Sequence, residues 1–208
     1  MEEKQIRTPQ QRRSIEKKNK IIQAGLQLFA QKGFYKTNTA EIAKAAGVST
    51  GIVYSYFENK TDILLAGISL RGEQMLSVIN DTFMKLLDSL EPTNHCSTDE
   101  LEPFIRDMLH YCVKMHEEFG REHTELQSLI YEKEVCELLL SFEQATADLM
   151  SDLLKKAGFS IENPVEKIHI IYNLIEDYCH EAVFHKHSNL NYELLYEYTV
   201  QTIMFILK

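Results

Sequence analysis

The residues best suited to chemistry cluster between Thr39 and Lys60, where hydroxyls, phenols and one amine recur at close spacing: Thr39, Ser49, Thr50, Tyr54, Ser55, Tyr56 and Lys60. No Gly-rich phosphate loop, nucleophile elbow or paired catalytic carboxylate stands out in the chain, so these groups read as hydrogen-bonding contacts suited to phosphates and base edges. The eight histidines (95, 110, 116, 123, 169, 180, 185 and 187) all follow that stretch. His180-Glu181-Ala182-Val183-Phe184-His185 invites a zinc-helix reading, but histidines five apart lie about 140° round a helix, unlike an i, i+4 pair. No three histidines have a spacing that compels a site, and neither a metal nor another cofactor is expected. Cys96, Cys112, Cys136 and Cys179 form no Cys-x-x-Cys pair and suit small apolar core positions.

The elements that must hold the Thr39–Lys60 groups follow from the same stretch. Thr39 is a good N-cap, with Ile42, Ala43 and Ala46 on one face behind it, and Ser49 caps a second short helix carrying Val53, Tyr54 and Phe57. Gly47 between them can take the left-handed conformation that ends a helix, and Val48 can plug the angle. The result is helix, tight turn, helix. Such a unit places its second helix in the DNA major groove, where Thr50, Ser55 and the tyrosines can reach phosphates or base edges and Gly51 allows close backbone approach. Thr39, at a helix N-terminus, is placed for a phosphate.

Gly33-Phe34-Tyr35, Thr37-Asn38-Thr39, Ile42-Ala43, Ala46-Gly47-Val48-Ser49, Gly51, Tyr54, Tyr56-Phe57 and Lys60 together resemble the DNA-binding signature of the TetR (tetracycline-repressor-like) family of bacterial transcriptional regulators. The resemblance covers roughly residues 14 to 66. Thr61 stands where the family often has an acidic residue, and Ile63-Leu64 where leucine is usual. By resemblance Lys60 belongs at a phosphate, and the last two helices pair with their symmetry mates in a four-helix bundle. The candidate DNA-facing set is Thr39, Ser49, Thr50, Gly51, Tyr54, Ser55, Tyr56 and Lys60.

Charge distribution supports that reading where total charge opposes it. The formal net charge is −9, yet residues 1–60 hold eleven Lys and Arg against five Asp and Glu, leaving eleven against 26 in the remainder. A +6 end on a −15 body is drawn to phosphate in one orientation and repelled in others. The polar start of the chain, Met1-Glu2-Glu3-Lys4, lacks the apolar run of a signal peptide, and no apolar stretch reaches the length of a membrane span. A cytoplasmic protein without membrane contact is expected.

Hydrophobic periodicity predicts an all-α chain of about nine helices, with a three-helix head at residues 1–60 and a ligand-binding and dimerisation body at residues 61–208. A basic arm over residues 1–13 precedes helix 1 (Ser14 to Lys32), whose stripe is Ile15, Ile22, Leu26 and Phe29. A helix from about Thr61 to Leu90 links head to body at some 40 Å or more, and Pro92 closes it. Residues 91–102 read as a loop; helices then follow over Pro103–Phe119, around Leu126–Ile130, and from Glu134 to Ala157. Asn163-Pro164-Val165-Glu166 predicts an N-cap, a first-position proline and a capping-box glutamate for a helix reaching Lys186. The last helix spans Tyr192–Leu207.

The body contains mixed apolar and polar residues suited to a small organic ligand: Met75, Phe83, Tyr111, Met115, Tyr131, Phe142, Tyr172, Glu176 and His180, with Met150 beside them. Its last two helices carry more apolar surface than one contact consumes, so Ile171, Ile175, Tyr178, Ala182, Leu195, Tyr198, Thr202 and Phe205 form a candidate homodimer face. These features predict a homodimeric, ligand-responsive regulator of transcription, a repressor released from a palindromic operator on double-stranded DNA by a small-molecule effector. A constitutive DNA-binding protein without effector is the competing class, and a helical metal-binding enzyme ranks below both.

Overall fold

The computed structural model describes residues 9–89, 98–158 and 162–208. Among these the regular structure is helical throughout: α1 (Pro9–Lys32), α2 (Thr39–Ala46), α3 (Thr50–Tyr54), α4 (Lys60–Ser89), α5 (Glu102–Gln127), α6 (Lys133–Lys156), α7 (Pro164–Val183) and α8 (Tyr192–Leu207), with a 3-10 turn at Thr98–Leu101. The all-α expectation holds, with eight helices in place of about nine. The difference lies at Gly120, which adopts φ 32°, ψ −106° inside α5. That non-helical conformation interrupts the helix where the sequence predicts a stop, so the single range of α5 holds two helical pieces joined by a kink. Glycine permits it because it carries no Cβ to oppose a positive φ.

Boundaries moved elsewhere for local reasons. Helix α1 starts at Pro9, so residues 9–13 belong to it; residues 1–8 of the expected arm lie outside the described residues. Asn38, not Thr39, caps α2: its side chain accepts the Glu41 amide, and the Glu41 carboxylate accepts the Asn38 amide in return. Asn163 is left-handed (φ 51°) and makes no side-chain cap, so α7 relies on Pro164 at its first turn. Leu90, Pro92, His95 and Cys96 lie outside the described residues, as do the side chains of Phe119, His123 and Leu126.

The chain divides into two compact units, Met1–Arg71 with Arg121–Val135, and Gly72–Gly120 with Cys136–Lys208. The breaks fall inside α4, at the Gly120 bend in α5 and in the first turn of α6. In the first unit Ile21, Ile22, Leu26 and Phe29 of α1 are buried with Ile42 and Ala43 of α2, Val53 of α3 and Ile63 and Leu64 of α4. Ile15, expected on that stripe, is exposed, and Ile21 is fully buried. Gly25 of α1 marks a close approach to α4, since a Cβ there would lie 2.6 Å from Ile63 Cγ2.

The second unit is built round Phe83, Leu101, Phe104, Leu109, Leu153, Cys179, Val200 and Ile203, all nearly or fully buried. Phe83 meets Phe104 edge-on at 4.8 Å between centroids. Helices α5 and α8 are also tied by a two-pronged bridge from Arg106 to Glu197 (2.8 and 2.7 Å), with Glu102 on the same guanidinium. These anchors fix the helices that frame the interior cavity described below.

Candidate nucleic-acid interface and effector cavity

The helix-turn-helix forms as the sequence requires. Gly47 sits at φ 69°, ψ 33° and closes α2, while Ser49 accepts the Ile52 amide and opens α3. Val53 and Phe57 face the core, so Thr50, Gly51, Tyr54 and Ser55 are left at the surface. Tyr54 is 56% exposed, and its phenol meets the Thr39 hydroxyl at 2.9 Å, joining the C-terminal end of α3 to the start of α2. Tyr56 pairs with Ser14 of α1 at 3.0 Å. The Ser55 hydroxyl donates to the Ile52 carbonyl. Seven of the eight sequence-predicted residues therefore gather on or beside α3 and the N-terminus of α2.

Lys60 is different. Its ammonium donates to the carbonyls of Phe34 (2.8 Å), Thr37 (3.0 Å) and Tyr35 (3.4 Å), and lies 4.5 Å from the Phe34 ring centroid. It thus secures the turn that launches α2, a task the sequence did not reveal because the three carbonyls lie more than twenty residues away. The Thr37 hydroxyl, itself buried, donates to the Gly33 carbonyl in the same turn.

Within the second unit, Met75, Ile79, Met108, Met150, Tyr172 and Glu176 are among the residues that surround an apolar cavity of about 90 Å³. Four of the sequence-predicted ligand residues, Met75, Met150, Tyr172 and Glu176, line it. Phe83 is core instead, because its ring is fully enclosed against Phe104. Phe142 packs over Gly72, where an added Cβ would lie 2.4 Å from the ring. Tyr111 packs against the core outside the lining, Met115 is half-buried elsewhere, and Tyr131 belongs to the first unit and is 91% exposed. Helical spacing cannot separate a cavity wall from ordinary core, which accounts for these differences.

His180 reaches a different neighbour. On α7 it lies one turn from Glu176, and both meet His116 of α5: His116 Nε2 is 3.4 Å from a Glu176 oxygen, and the two imidazoles stand edge-on at 5.5 Å. His116 Nδ1 is 2.8 Å from the Cys112 carbonyl. Desolvation draws the His116 pKa down, but the hydrogen bond and charge of Glu176 and the Cys112 carbonyl outweigh it, so the net direction is upward. Burial, then the neighbouring His116, pushes His180 down. Sequence reasoning passed over His116 because sixty residues separate it from Glu176; the i, i+4 spacing of Glu176 and His180 was the visible signal.

The predicted dimer face divides in two. Ile171 and Ile175 line the cavity, Tyr178 is buried against Tyr196, and Ala182 and Leu195 pack on the core. Tyr198, Thr202 and Phe205 remain outside, Phe205 at 79% exposure, and Leu194 and Ile170 add exposed apolar surface.

Comparison with known proteins fits this architecture. The family profile described as bacterial regulatory proteins, tetR family, matches residues 21–66, the stretch that contains α2, α3 and their supports. The HTH-type transcriptional regulator HbdR of Aromatoleum sp. (strain CIB) is 47% identical over 49 residues, 24% of this chain and 21% of that protein. A fatty acid metabolism regulator protein of Bacillus subtilis (strain 168) is 46% identical over 55 residues, 26% of this chain and 27% of that protein. The chain thus spans only about a fifth to a quarter of the length of these relatives. Solved structures extend the likeness of fold to the body. A TetR-family protein from Mesorhizobium loti MAFF303099 superposes with a TM-score of 0.70 at 19% identity, covering 94% of this chain and 96% of that one. The multidrug binding protein EbrR, complexed with malachite green, gives 0.66 at 14% identity over 93% and 99%. Residues 21–66 thus match the tetR-family profile of bacterial regulatory proteins, and the chain as a whole shares the helical fold of these solved structures.

Proposed function

We propose that this chain is a ligand-responsive transcriptional regulator that binds a palindromic DNA operator as a homodimer and is released from it when a small molecule enters the body. The observation that carries the proposal is the exposed face of α3 and the start of α2, where Thr39, Ser49, Thr50, Gly51, Tyr54 and Ser55 offer hydrogen-bonding groups beside a glycine. A helix so presented enters the major groove, and the net charge of +6 over residues 1–60 favours phosphate contact. Tyr56 and Lys60 act as braces of this face, Tyr56 against α1 and Lys60 beneath the α2 turn. Tyr198, Thr202 and Phe205 on α8 supply the exposed surface for pairing two copies.

The effector belongs in the apolar cavity, with Glu176 as the polar wall and Met75 and Tyr172 as adaptable neighbours. At about 90 Å³ this cavity is smaller than the roughly 300–1,000 Å³ of typical ligand sites, so an effector must spread the walls to enter. Met75 and Ile79 of that wall are on α4, whose first residues belong to the head. A ligand that favours the spread state over the closed one therefore alters the helix on which the reading head is rooted. A protein of the same fold, the multidrug binding protein EbrR, is complexed with malachite green, so compounds of that kind are the class to screen first.

The test selects duplexes from a random-sequence pool with the full-length chain, then measures affinity for the enriched duplex by fluorescence anisotropy with and without compounds that raise thermal stability. Enrichment of an inverted repeat whose affinity falls on compound binding is the expected result. Failure to enrich any sequence refutes DNA recognition, and retention of affinity at saturating compound refutes release.

A further inference from the structure

We propose that His116, Glu176 and His180 form a site for one transition-metal ion of the zinc class, at the polar end of the cavity. One ligand atom from each of the three lies within 4.8 Å of the others. Zinc–nitrogen and zinc–oxygen bonds of about 2.0–2.1 Å at tetrahedral angles put neighbouring donor atoms roughly 3.3–3.4 Å apart. His116 Nε2 and the Glu176 oxygen already stand at 3.4 Å. A small rotation of the half-buried His180 ring completes the set, and its i, i+4 relation to Glu176 keeps both on one face of α7.

The outer contacts give the arrangement its chemical direction. The Cys112 carbonyl can only accept, so His116 Nδ1 carries the proton of the 2.8 Å bond, and Nε2 is the atom turned to Glu176. A neutral imidazole in that tautomer presents a lone pair to a carboxylate oxygen, two acceptors face to face, unless a proton or a cation stands between them. Metal-ligating histidines use this same outer hydrogen bond to a backbone carbonyl, which fixes ring orientation and aims the other nitrogen at the ion. Two imidazole nitrogens and one carboxylate select zinc-like ions over magnesium or calcium, which require oxygen ligands. Three protein ligands leave a fourth position for water or another donor atom, and Glu176, which also lines the cavity, is the residue shared by the two sites. This inference is independent of the DNA-binding proposal, since ion binding is measured without DNA.

The experiment titrates tag-free, full-length protein with Zn²⁺ in competition with a chromophoric chelator, and repeats the titration with Co²⁺ while recording the visible spectrum. One ion per chain is expected, with the intense visible bands of four-coordinate Co²⁺ and no competition from Mg²⁺. Glu176→Gln, which conserves shape, and His180→Ala, at a half-buried position, each lower the affinity at least about tenfold, with circular dichroism confirming the fold. His187→Ala leaves it unchanged. Absence of saturable Zn²⁺ binding overturns the proposal and leaves a proton as the bridge between His116 and Glu176. Equal affinity in the parent and both site variants overturns it as well, by placing the ion on surface histidines.

Discussion

Replacing Lys60 with Met separates two roles that the sequence cannot tell apart. Met keeps most of the apolar stem above Phe34 but removes the charged donor from the carbonyls of Phe34 and Thr37, at 2.8 and 3.0 Å, and the weaker one at Tyr35. Hydrogen bonds to charged groups contribute about 1.5–3 kcal/mol each when well enclosed, and a cation over an exposed ring about 0.5–1 kcal/mol. Lys60 is only half-buried, so we take the lower end and expect a total loss of about 2 kcal/mol. For a chain of this size that lowers Tm by about 4–8 °C. The second readout is the slope of log affinity against log salt on the selected duplex. A residue that braces the α2 turn leaves the slope unchanged, whereas removal of a phosphate contact reduces it by about 1. Differential scanning fluorimetry and anisotropy at four salt concentrations provide both numbers. An unchanged Tm with a slope reduced by about 1 refutes the bracing role and assigns Lys60 to DNA.

Further expectations concern the supports of each unit. Gly72→Ala forces a Cβ to within 2.4 Å of the Phe142 ring, and overpacking of about 1–3 kcal/mol outweighs the gain in helix propensity of about 1 kcal/mol. The urea midpoint falls, and Phe142→Leu in the same chain restores part of it. Asn38→Ala removes the α2 cap and costs about 1 kcal/mol in the same assay. Phe205→Glu with Tyr198→Asp converts a dimer to a monomer in light scattering while leaving far-UV circular dichroism intact. Burial, then the charge of Glu176, pushes the Cys112 thiol up from 9.0 to about 12, and burial pushes Cys179 up as well. The stability that Cys112 contributes by staying protonated is present below pH 9 and is lost as pH rises from about 9 to about 12. At pH 8 a disulfide reagent therefore labels the half-buried Cys136 in folded protein, and Cys112 and Cys179 react only after unfolding.

The short-range features of this molecule were legible in its residues. Gly47 had to end α2, Ser49 had to open α3, and the cations Lys155 and Lys156 with the left-handed Gly158 just beyond them stop α6, because glycine, a small hydroxyl and terminal cations act within one turn of the backbone. Even so, neighbouring candidates were confused: Asn38 and Thr39 both make good caps, and only the reciprocal bond with Glu41 decided between them. Periodicity marked the apolar stripes of α4 to α8 but left their destination open. Tertiary packing decided that Phe83 and Tyr178 are core, that Met75, Ile171, Ile175, Tyr172 and Glu176 wall a cavity, and that Phe205 faces outward. The same limit explains Lys60 and His116. A charged or polar group finds its partner through space, and the carbonyls beneath Lys60 and the carboxylate beside His116 are neighbours only once α1 and α4, or α5 and α7, have packed. The sequence by itself determined an all-α chain with a helix-turn-helix and a basic head on an acidic body, because caps, turns and composition act locally or in sum. Tertiary structure alone decided which polar groups brace that head and which converge inside the body, since those bonds join residues tens of positions apart.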